Sequence, residues 1–136
     1  MNSIKRNALQ VIDRFDRIYL GDSLIQRIGI DVAHAQMTFF CNSALLLKDG
    51  PNPDIFDPEQ RHQPAKLTFE GVKCFLCPEG RFYLNATIVE FDAKAADEKG
   101  LVEFRLEMTG GFDNESFMRS LIVVARDFSL TTGQSE

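Results

Sequence analysis

The spacing of apolar residues changes once along this chain, near Gly21, and that change constrains the fold more than any other feature. Before Gly21, apolar side chains recur every three or four residues, which is typical of one face of an α-helix. Ser3 is a suitable N-terminal cap, and Gly21 with Asp22 is a suitable end and turn. The predicted helix carries a stripe of seven apolar residues: Ile4, Ala8, Val11, Ile12, Phe15, Ile18 and Tyr19.

After Gly21 the period becomes two, which predicts β-strands. Residues 23–31 place Leu24, Gln26, Ile28 and Ile30 on one side, and Met37, Phe39 and Cys41 alternate in the next segment. The five residues "DVAHA" between them are short enough for a hairpin loop. Later strand patterns are "AKLTFEGVKCFLC", "LNATIVEFD", "LVEFRLEMT" and "SFMRSLIVVARDFSL", and Gly71 within the first is expected to form a β-bulge.

These patterns predict an α+β fold with one N-terminal helix packed on an antiparallel sheet of about six strands. The alternative is a small curled barrel, or a sandwich, with the helix at one end. A chain of 136 residues favours one domain, here predicted over residues 1–130 with a frayed tail at 131–136. Such a chain buries enough surface to fold without a disulfide or a metal.

Residues 48–64 interrupt the strand pattern with four of the five prolines in the chain. That composition excludes a central strand and predicts a long loop. The spacing of its acidic residues does not fit a calcium loop. It is therefore interpreted as a solvated acidic loop, or as a contact surface for a basic partner. The acidic residues of this loop are Asp49, Asp54, Asp57 and Glu59.

Charge and hydropathy exclude several classes of partner. The net charge is −5 and the isoelectric point is near 5.0, with Lys and Arg scattered singly, whereas a nucleic-acid binder needs a basic stripe. No apolar run approaches the roughly 18 residues of a membrane span. The charged, amphipathic start does not resemble a signal peptide. We therefore expect a cytoplasmic protein that contacts neither nucleic acid nor membrane.

The segment "CFLCPEG" at residues 74–80 raises the question of a metal or redox site. A redox C-x-x-C pair normally opens a helix, whereas Cys74 and Cys77 end a strand that runs into Pro78 and Gly80. In a regular strand the two cysteines would also point to opposite faces. We predict a turn with structural cysteines, and metal and redox roles are the alternatives. A zinc site would need further ligands, for which the candidates are Cys41, His34 and His62.

No catalytic arrangement is evident in the sequence. His34 lies in the predicted hairpin loop and His62 in the proline-rich loop, and neither has a neighbour that would orient an imidazole for catalysis. A nucleophile elbow and a glycine-rich phosphate loop are both missing from the sequence. The sequence therefore predicts no catalytic residue, no metal and no cofactor.

A resemblance covers roughly residues 12–80. The stretch "IYLGDSLIQRIGID", followed later by "LTFEGVKCF" and a P-x-G turn, resembles a family of small bacterial proteins of unknown function. These share a Y-L-G-D start, an I-x-I-D strand end and an F-x-G-V strand. The resemblance implies a bacterial, intracellular domain with a helix and a sheet, and it supplies no catalytic residues. The matching positions are Tyr19, Gly21, Asp22, Asp31, Phe69 and Gly71.

Three functions remain open at this point. The first is a non-enzymatic protein-binding domain, in its most specific form an immunity-type protein that covers the site of a basic toxin. The second is a small-molecule-binding or hydrolytic domain with a site between helix and sheet, lined by Phe39, Phe69, Phe82 and Phe104. The third is a module that self-associates through an edge strand. An anionic ligand would be favoured if several arginines met on one face: Arg27, Arg81, Arg105, Arg119 and Arg126.

Overall fold

The structure is a computed structural model that describes residues 2–21, 23–46, 63–78, 80, 86–110 and 117–132. One helix, α1 (Asn2–Phe15), precedes an antiparallel sheet, which confirms the predicted α+β class. A turn of 3-10 helix, Val32–His34, joins the second strand to the third. The described strands are β1 (Ile18–Tyr19), β2 (Ser23–Asp31), β3 (Gln36–Leu46), β4 (Gln63–Glu70), β5 (Cys74–Leu76), β6 (Ala86–Ala95), β7 (Val102–Gly110), β8 (Phe117–Ala125) and β9 (Asp127–Thr132).

The described residues form nine strands where the sequence predicted about six, because two long strand patterns each turn a corner. The first pattern divides around Gly71 into β4 and β5, and the second divides at Arg126 into β8 and β9. The remaining addition is β1, a two-residue strand that pairs with the end of β3. Local alternation predicts where a strand runs, but it does not show where the strand bends from one part of a sheet into another.

Gly71, where a bulge within one strand was predicted, lies instead between two strands that pair with different partners. Glu70 of β4 faces Asp127, whereas Cys74 of β5 faces Val124. Four steps along one chain therefore match three along the other, so one extra residue lies between the strands. Gly71 has a φ of 63°, in the left-handed region that glycine adopts without strain.

The sheet curls back on itself through the chain from β8 to β9. β8 pairs with β7, and β9 pairs with β4, so this one length of chain joins the two ends of the sheet. On the other side, β2 meets β6 through only two residue pairs, Ser23 with Ile88 and Leu24 with Thr87. The strand order from β5 to β9 is β5-β8-β7-β6-β2-β3-β4-β9. These pairings fit a curled sheet, which the sequence analysis gave as the alternative to a sheet with a helix packed on it.

Phenylalanine rings fill the interior. Phe15 of α1 meets Phe104 and Phe128 edge-on, with ring centroids 5.0 and 5.1 Å apart, and Phe104 lies 4.8 Å from Phe69. Each such contact is worth about 0.5–1.5 kcal/mol beyond the burial of apolar area. The alternation predicted for β3 is confirmed, because its apolar set is buried in this core. Over the part of β3 whose side chains are described, 36–44, the buried residues are Met37, Phe39, Cys41 and Ala44.

The helix is shorter than the apolar stripe predicted. It ends at Phe15, where the amide of Asp16 still bonds to the carbonyl of Ile12 at 3.0 Å. The last two members of the stripe, Ile18 and Tyr19, lie in β1 instead. The predicted helix was too long because Ile18 is buried in β1, as it would also be in a longer helix. The spacing of apolar residues alone does not distinguish a longer helix from a helix followed by a short strand.

Gly21 was predicted to end the helix, but it lies after β1 and does not cap α1. A side chain at this position would overlap the ring of Tyr19. That ring in turn meets Phe91 edge-on, with centroids 5.8 Å apart. The Tyr-Leu-Gly spacing therefore has a packing explanation, in which glycine leaves room for the tyrosine ring.

The alternation predicted for β2 is broken by a register shift. Ile25 faces Cys41 and Arg27 faces Phe40, so Gln26 is an extra residue on this strand. As a result Ile25 is buried and Gln26 exposed, and the predicted side that grouped Gln26 with Ile28 is wrong. A bulge exchanges the two faces of a strand because the side-chain period is two.

Two segments that were predicted to be irregular each have one end in a strand. β4 begins at Gln63, so residues 63 and 64 belong to a strand, while the acidic residues of the loop and His62 lie outside the described residues. Thr131 and Thr132, expected in a frayed tail, pair with Lys66 and Ala65.

In the described part of the chain, no helix has the length and apolar character needed to cross a membrane.

Candidate functional site

A groove of about 650 Å³ lies where α1 meets two connections of the sheet. Gln10 and Arg14 of α1 form one side, residues 98–101 between β6 and β7 form another, and Arg126 with Asp127 lies at the corner between β8 and β9. We call this the helix–corner groove. Its apolar lining comes from Val11 and Leu101, which are buried.

The position of Arg14 follows from the burial of its neighbour Phe15. Val11 and Phe15, four residues apart on α1, both point into the core. Gln10 and Arg14 each precede one of these residues, so they form a second row along the margin of the buried face. The helix therefore presents polar side chains to the groove because its apolar face is fixed by the phenylalanine core.

The turn between β6 and β7 is closed by backbone hydrogen bonds. The amide of Ala96 donates to the carbonyl of Leu101 at 3.0 Å, and the amide of Leu101 donates to the carbonyl of Glu98 at 3.2 Å. Gly100 has a φ of 80°, which other residues rarely adopt. The buried side chain of Leu101 anchors the turn, while Glu98 and Lys99 stay exposed at the groove.

The corner at Arg126 depends on Gly71. The amide of Arg126 donates to the carbonyl of Glu70 at 3.0 Å. A side-chain carbon built on Gly71 would lie 3.1 to 3.3 Å from the Cβ, Cγ and Cδ of Arg126. The aliphatic stem of Arg126 therefore packs in the space that glycine leaves open. Arg126 is also one of the residues that line the groove.

One ion pair spans the groove between α1 and β9. Arg14 donates to Asp127 Oδ1 at 2.6 Å and to the carbonyl of Phe128 at 2.9 Å, and its guanidinium lies 4.8 Å from the centroid of the Phe128 ring. The two side chains are 49% and 43% exposed, so the ion pair contributes at most about 1 kcal/mol to stability. It connects α1 to the start of β9 at the corner.

A second ion pair uses the other acidic residue of the groove. Glu98 accepts a hydrogen bond from Lys73, at the junction between β4 and β5, and this bond raises the pKa of Lys73. Both carboxylates of the groove are thus already bound to cations. Lys99 and Arg126 line the same groove and have no acidic partner among the described residues.

The four described arginines among the five singled out from the sequence lie in different surroundings. Arg27 stacks over the ring of Phe40 at 4.2 Å, and Arg105 pairs with Glu107 at 3.2 Å on the outer face of β7. Arg119 is half-buried on β8. Arg81 lies outside the described residues.

Of those arginines that the structure describes, Arg126 alone lines the groove, and its companions there are Arg14 and Lys99. Sequence reasoning missed both companions. Arg14 reads as an ordinary charge on the polar face of a helix, and Lys99 as an ordinary turn residue. A signal for Arg14 was its place immediately before the buried Phe15, although that signal is weak.

The predicted aromatic pocket was wrong for the residues that can be placed. Phe39, Phe69 and Phe104 are fully buried and pack against other rings in the closed core. Phe82 lies outside the described residues. Six of the nine described residues that line the helix–corner groove are charged or polar, and none of these rings is among them.

The predicted turn after the cysteine pair is confirmed. The amide of Gly80 donates to the carbonyl of Cys77 at 2.8 Å, while Cys74 lies exposed in β5 and all three described cysteines are free thiols. Burial raises the pKa of the third, Cys41, to about 11. Among the described residues, no three His, Cys, Asp or Glu side chains are grouped as metal ligands.

Asp31 has a structural role at the end of β2. Its carboxylate accepts a hydrogen bond from the amide of His34 at 3.3 Å and contacts His34 Nδ1 at 2.8 Å. These contacts cap the turn between β2 and β3, and the side-chain hydrogen bond lowers the pKa of Asp31. His34 lies exposed in the hairpin loop, as predicted.

A second surface of interest is β5 and its free side, which we call the β5 edge (Cys74–Leu76). All three residues are exposed, and Phe75 and Leu76 are 46% and 51% accessible. β5 pairs with β8 on one side, and within the described parts of the chain no strand pairs with its other side. An exposed apolar pair on an unpaired strand edge is a common feature of contact surfaces.

Comparison with known proteins supplies no family for this chain. No protein-family model, curated protein or solved structure matches it. The resemblance to a bacterial family and the predicted functions therefore stay predictions, and any proposal depends on the two surfaces described above.

Proposed function

We propose that this protein is a non-enzymatic domain that binds another protein through the β5 edge. The observation that carries the proposal is the exposure of Phe75 and Leu76 on a strand with one pairing partner among the described strands. The resemblance to small bacterial proteins supports a bacterial source, and an immunity-type role against a basic toxin is the most specific form of the proposal.

The backbone of β5 supplies the geometry for such contact. Along an unpaired strand edge, every second residue directs its N–H and C=O groups outwards, where an extended segment of a partner can pair with them. Main-chain bonds of this kind set the register, and Phe75 and Leu76 add apolar area that association would remove from water. Three residues make a short edge, which suits a regulated contact better than uncontrolled aggregation.

The charge of the chain favours a basic partner. The net charge is −5, and such an imbalance speeds the encounter with a molecule of opposite charge. Three of the acidic residues lie near one another at the end of α1 and on β6. The pKa of Asp16 is raised, first by its partial burial and then by the charges of Asp13 and Asp92. The carboxylates of Asp13, Asp16 and Asp92 therefore lie close enough to affect one another.

The test is a comparison of two double variants in the native host. Phe75→Ser with Leu76→Ser removes the apolar pair of the β5 edge. Leu9→Ser with Ile30→Ser is the matched control, because these residues are 55% and 56% exposed elsewhere. After chemical crosslinking and affinity isolation, the recovered proteins are quantified by mass spectrometry, and light scattering gives the oligomeric state.

We expect one protein partner whose recovery falls at least about tenfold in the β5 variant and stays unchanged in the control. Equal recovery with both variants, or no partner for the wild-type chain, would overturn the proposal. A wild-type dimer that dissociates only in the β5 variant would instead identify the third function considered above, self-association through this edge.

A further inference from the structure

We infer that the helix–corner groove binds a small organic anion, whose carboxylate or phosphate group is held between Lys99 and Arg126. This inference is independent of the protein partner proposed above, because the groove and the β5 edge share no residue. It makes the small-molecule alternative specific, because it combines Arg126, one of the arginines singled out from the sequence, with Lys99, which the sequence did not indicate.

The first argument is the distribution of charge within the groove. Its two carboxylates are already paired, Asp127 with Arg14 and Glu98 with Lys73. The cations of Lys99 and Arg126 remain without an acidic partner in the described structure. Two uncompensated positive charges in one concavity stand out on a chain whose net charge is −5.

The second argument is that Arg126 is held before any ligand arrives. Its backbone amide is bonded to Glu70, and three carbons of its side chain pack over Gly71. A side chain whose stem is already ordered loses less conformational entropy when its guanidinium binds a ligand. The guanidinium presents planar, paired donors that suit a carboxylate or a phosphate, and Lys99 adds a mobile point charge.

The third argument is the size and lining of the groove. A volume of about 650 Å³ is that of a typical small-molecule site. Val11 and Leu101 supply apolar surface beside the cations, which suits a ligand with a carbon skeleton as well as a charged group. Gln10 adds a polar group with both a donor and an acceptor.

The experiment is a titration followed by two-dimensional NMR of the uniformly ¹⁵N-labelled full chain. Sodium acetate and sodium phosphate are the two probes, with sodium chloride used to keep the ionic strength constant. Hexaglutamate is a third probe, which represents an acidic segment of a protein. The amides of Gly100, Leu101 and Asp127 report on the groove.

The variants are matched in charge and in residue type. Lys99→Gln with Arg126→Gln removes both groove cations, and glutamine retains the three carbons that pack over Gly71. Arg27→Gln with Lys66→Gln removes one arginine and one lysine near Phe40, on a different surface. A spectrum with the dispersion of the wild-type spectrum shows that each variant is folded.

We expect saturable shifts of the groove amides with acetate or phosphate, and a dissociation constant at least about tenfold larger in the groove variant. The control should bind within about twofold of the wild type. The tighter of the two probes identifies the anionic group, carboxylate or phosphate. Linear shifts, or equal weakening in both variants, would overturn the inference. Binding of hexaglutamate alone, with shifts beyond the groove, would also overturn it, in favour of an acidic protein partner.

Discussion

The phenylalanine core and the helix–corner groove meet at two adjacent residues of α1, and they are held together in different ways. Phe15 is fully buried against three other rings, whereas the side chain of Arg14 is 49% exposed and reaches Asp127, 113 positions away in the chain. The core depends on buried area and shape. The groove depends on individual charges that remain partly in water, so changes there should alter binding more than stability.

The largest effect is expected from opening the core. Phe104→Ala removes a ring that contacts Phe15, Phe69 and Phe128, and it should lower the free energy of unfolding by about 3–5 kcal/mol. Denaturant titration measures this value. Phe75→Ala, at an exposed position, should cost less than about 1 kcal/mol. Similar losses for the two variants would contradict the distinction between core and surface.

The next effect is a loss of stability at high pH. Burial raises the pKa of Cys41 from 9.0 to about 11, so above pH 9 the unfolded chain loses this proton while the folded chain retains it. The unfolded state then binds fewer protons, and stability falls as the pH rises from about 9 to 11. The expected contribution is about 2–3 kcal/mol.

Cys41→Ala isolates this contribution from the lysines and tyrosines that titrate in the same range. Its free energy of unfolding, measured between pH 8 and about 11, should fall less steeply than that of the wild type. Parallel curves for the two proteins would show that the buried thiol is not responsible.

A smaller effect is expected at the corner that shapes the groove. Gly71→Ala forces a side chain into the left-handed region and towards the stem of Arg126, and it should cost about 1–2 kcal/mol. Gly80→Ala is the comparison, since Gly80 also has a positive φ but no atom of the described residues within 4 Å of the added carbon. Thermal unfolding should show a larger loss for Gly71→Ala, and the reverse order would argue against packing at the corner.

The smallest effect concerns the ion pair itself. A double-mutant cycle with Arg14→Met and Asp127→Asn should give a coupling energy of about 0.2–1 kcal/mol, because both side chains are more than a third exposed. Urea titration at low and high salt provides the measurement. A coupling of several kcal/mol, insensitive to salt, would mean that the groove is held together as the core is.

Much of the fold could be predicted from local patterns. The hairpin between β2 and β3, the interruption of the strand at Gly71 and the turn after Cys77 all follow from residues that act within a few positions of one another. The predictions that were wrong, at Tyr19, Gly21 and Gln26, share one cause. Tyr19 pairs with the distant Leu45, which ends the helix early and leaves Gly21 beside a strand, and Gln26 lies at a register shift. Local spacing does not contain this information.

The sequence by itself determined which segments alternate, which side chains are too apolar to remain in water, and where glycine and proline interrupt the strands. Only the tertiary structure decided that β8 and β9 join the two ends of the sheet at Arg126, and that Arg14, Lys99 and Arg126 line one groove. The physical reason is the distance along the chain between the residues that interact. Secondary structure depends on neighbouring residues, whereas a groove is formed by packing between segments that are separated by most of the chain.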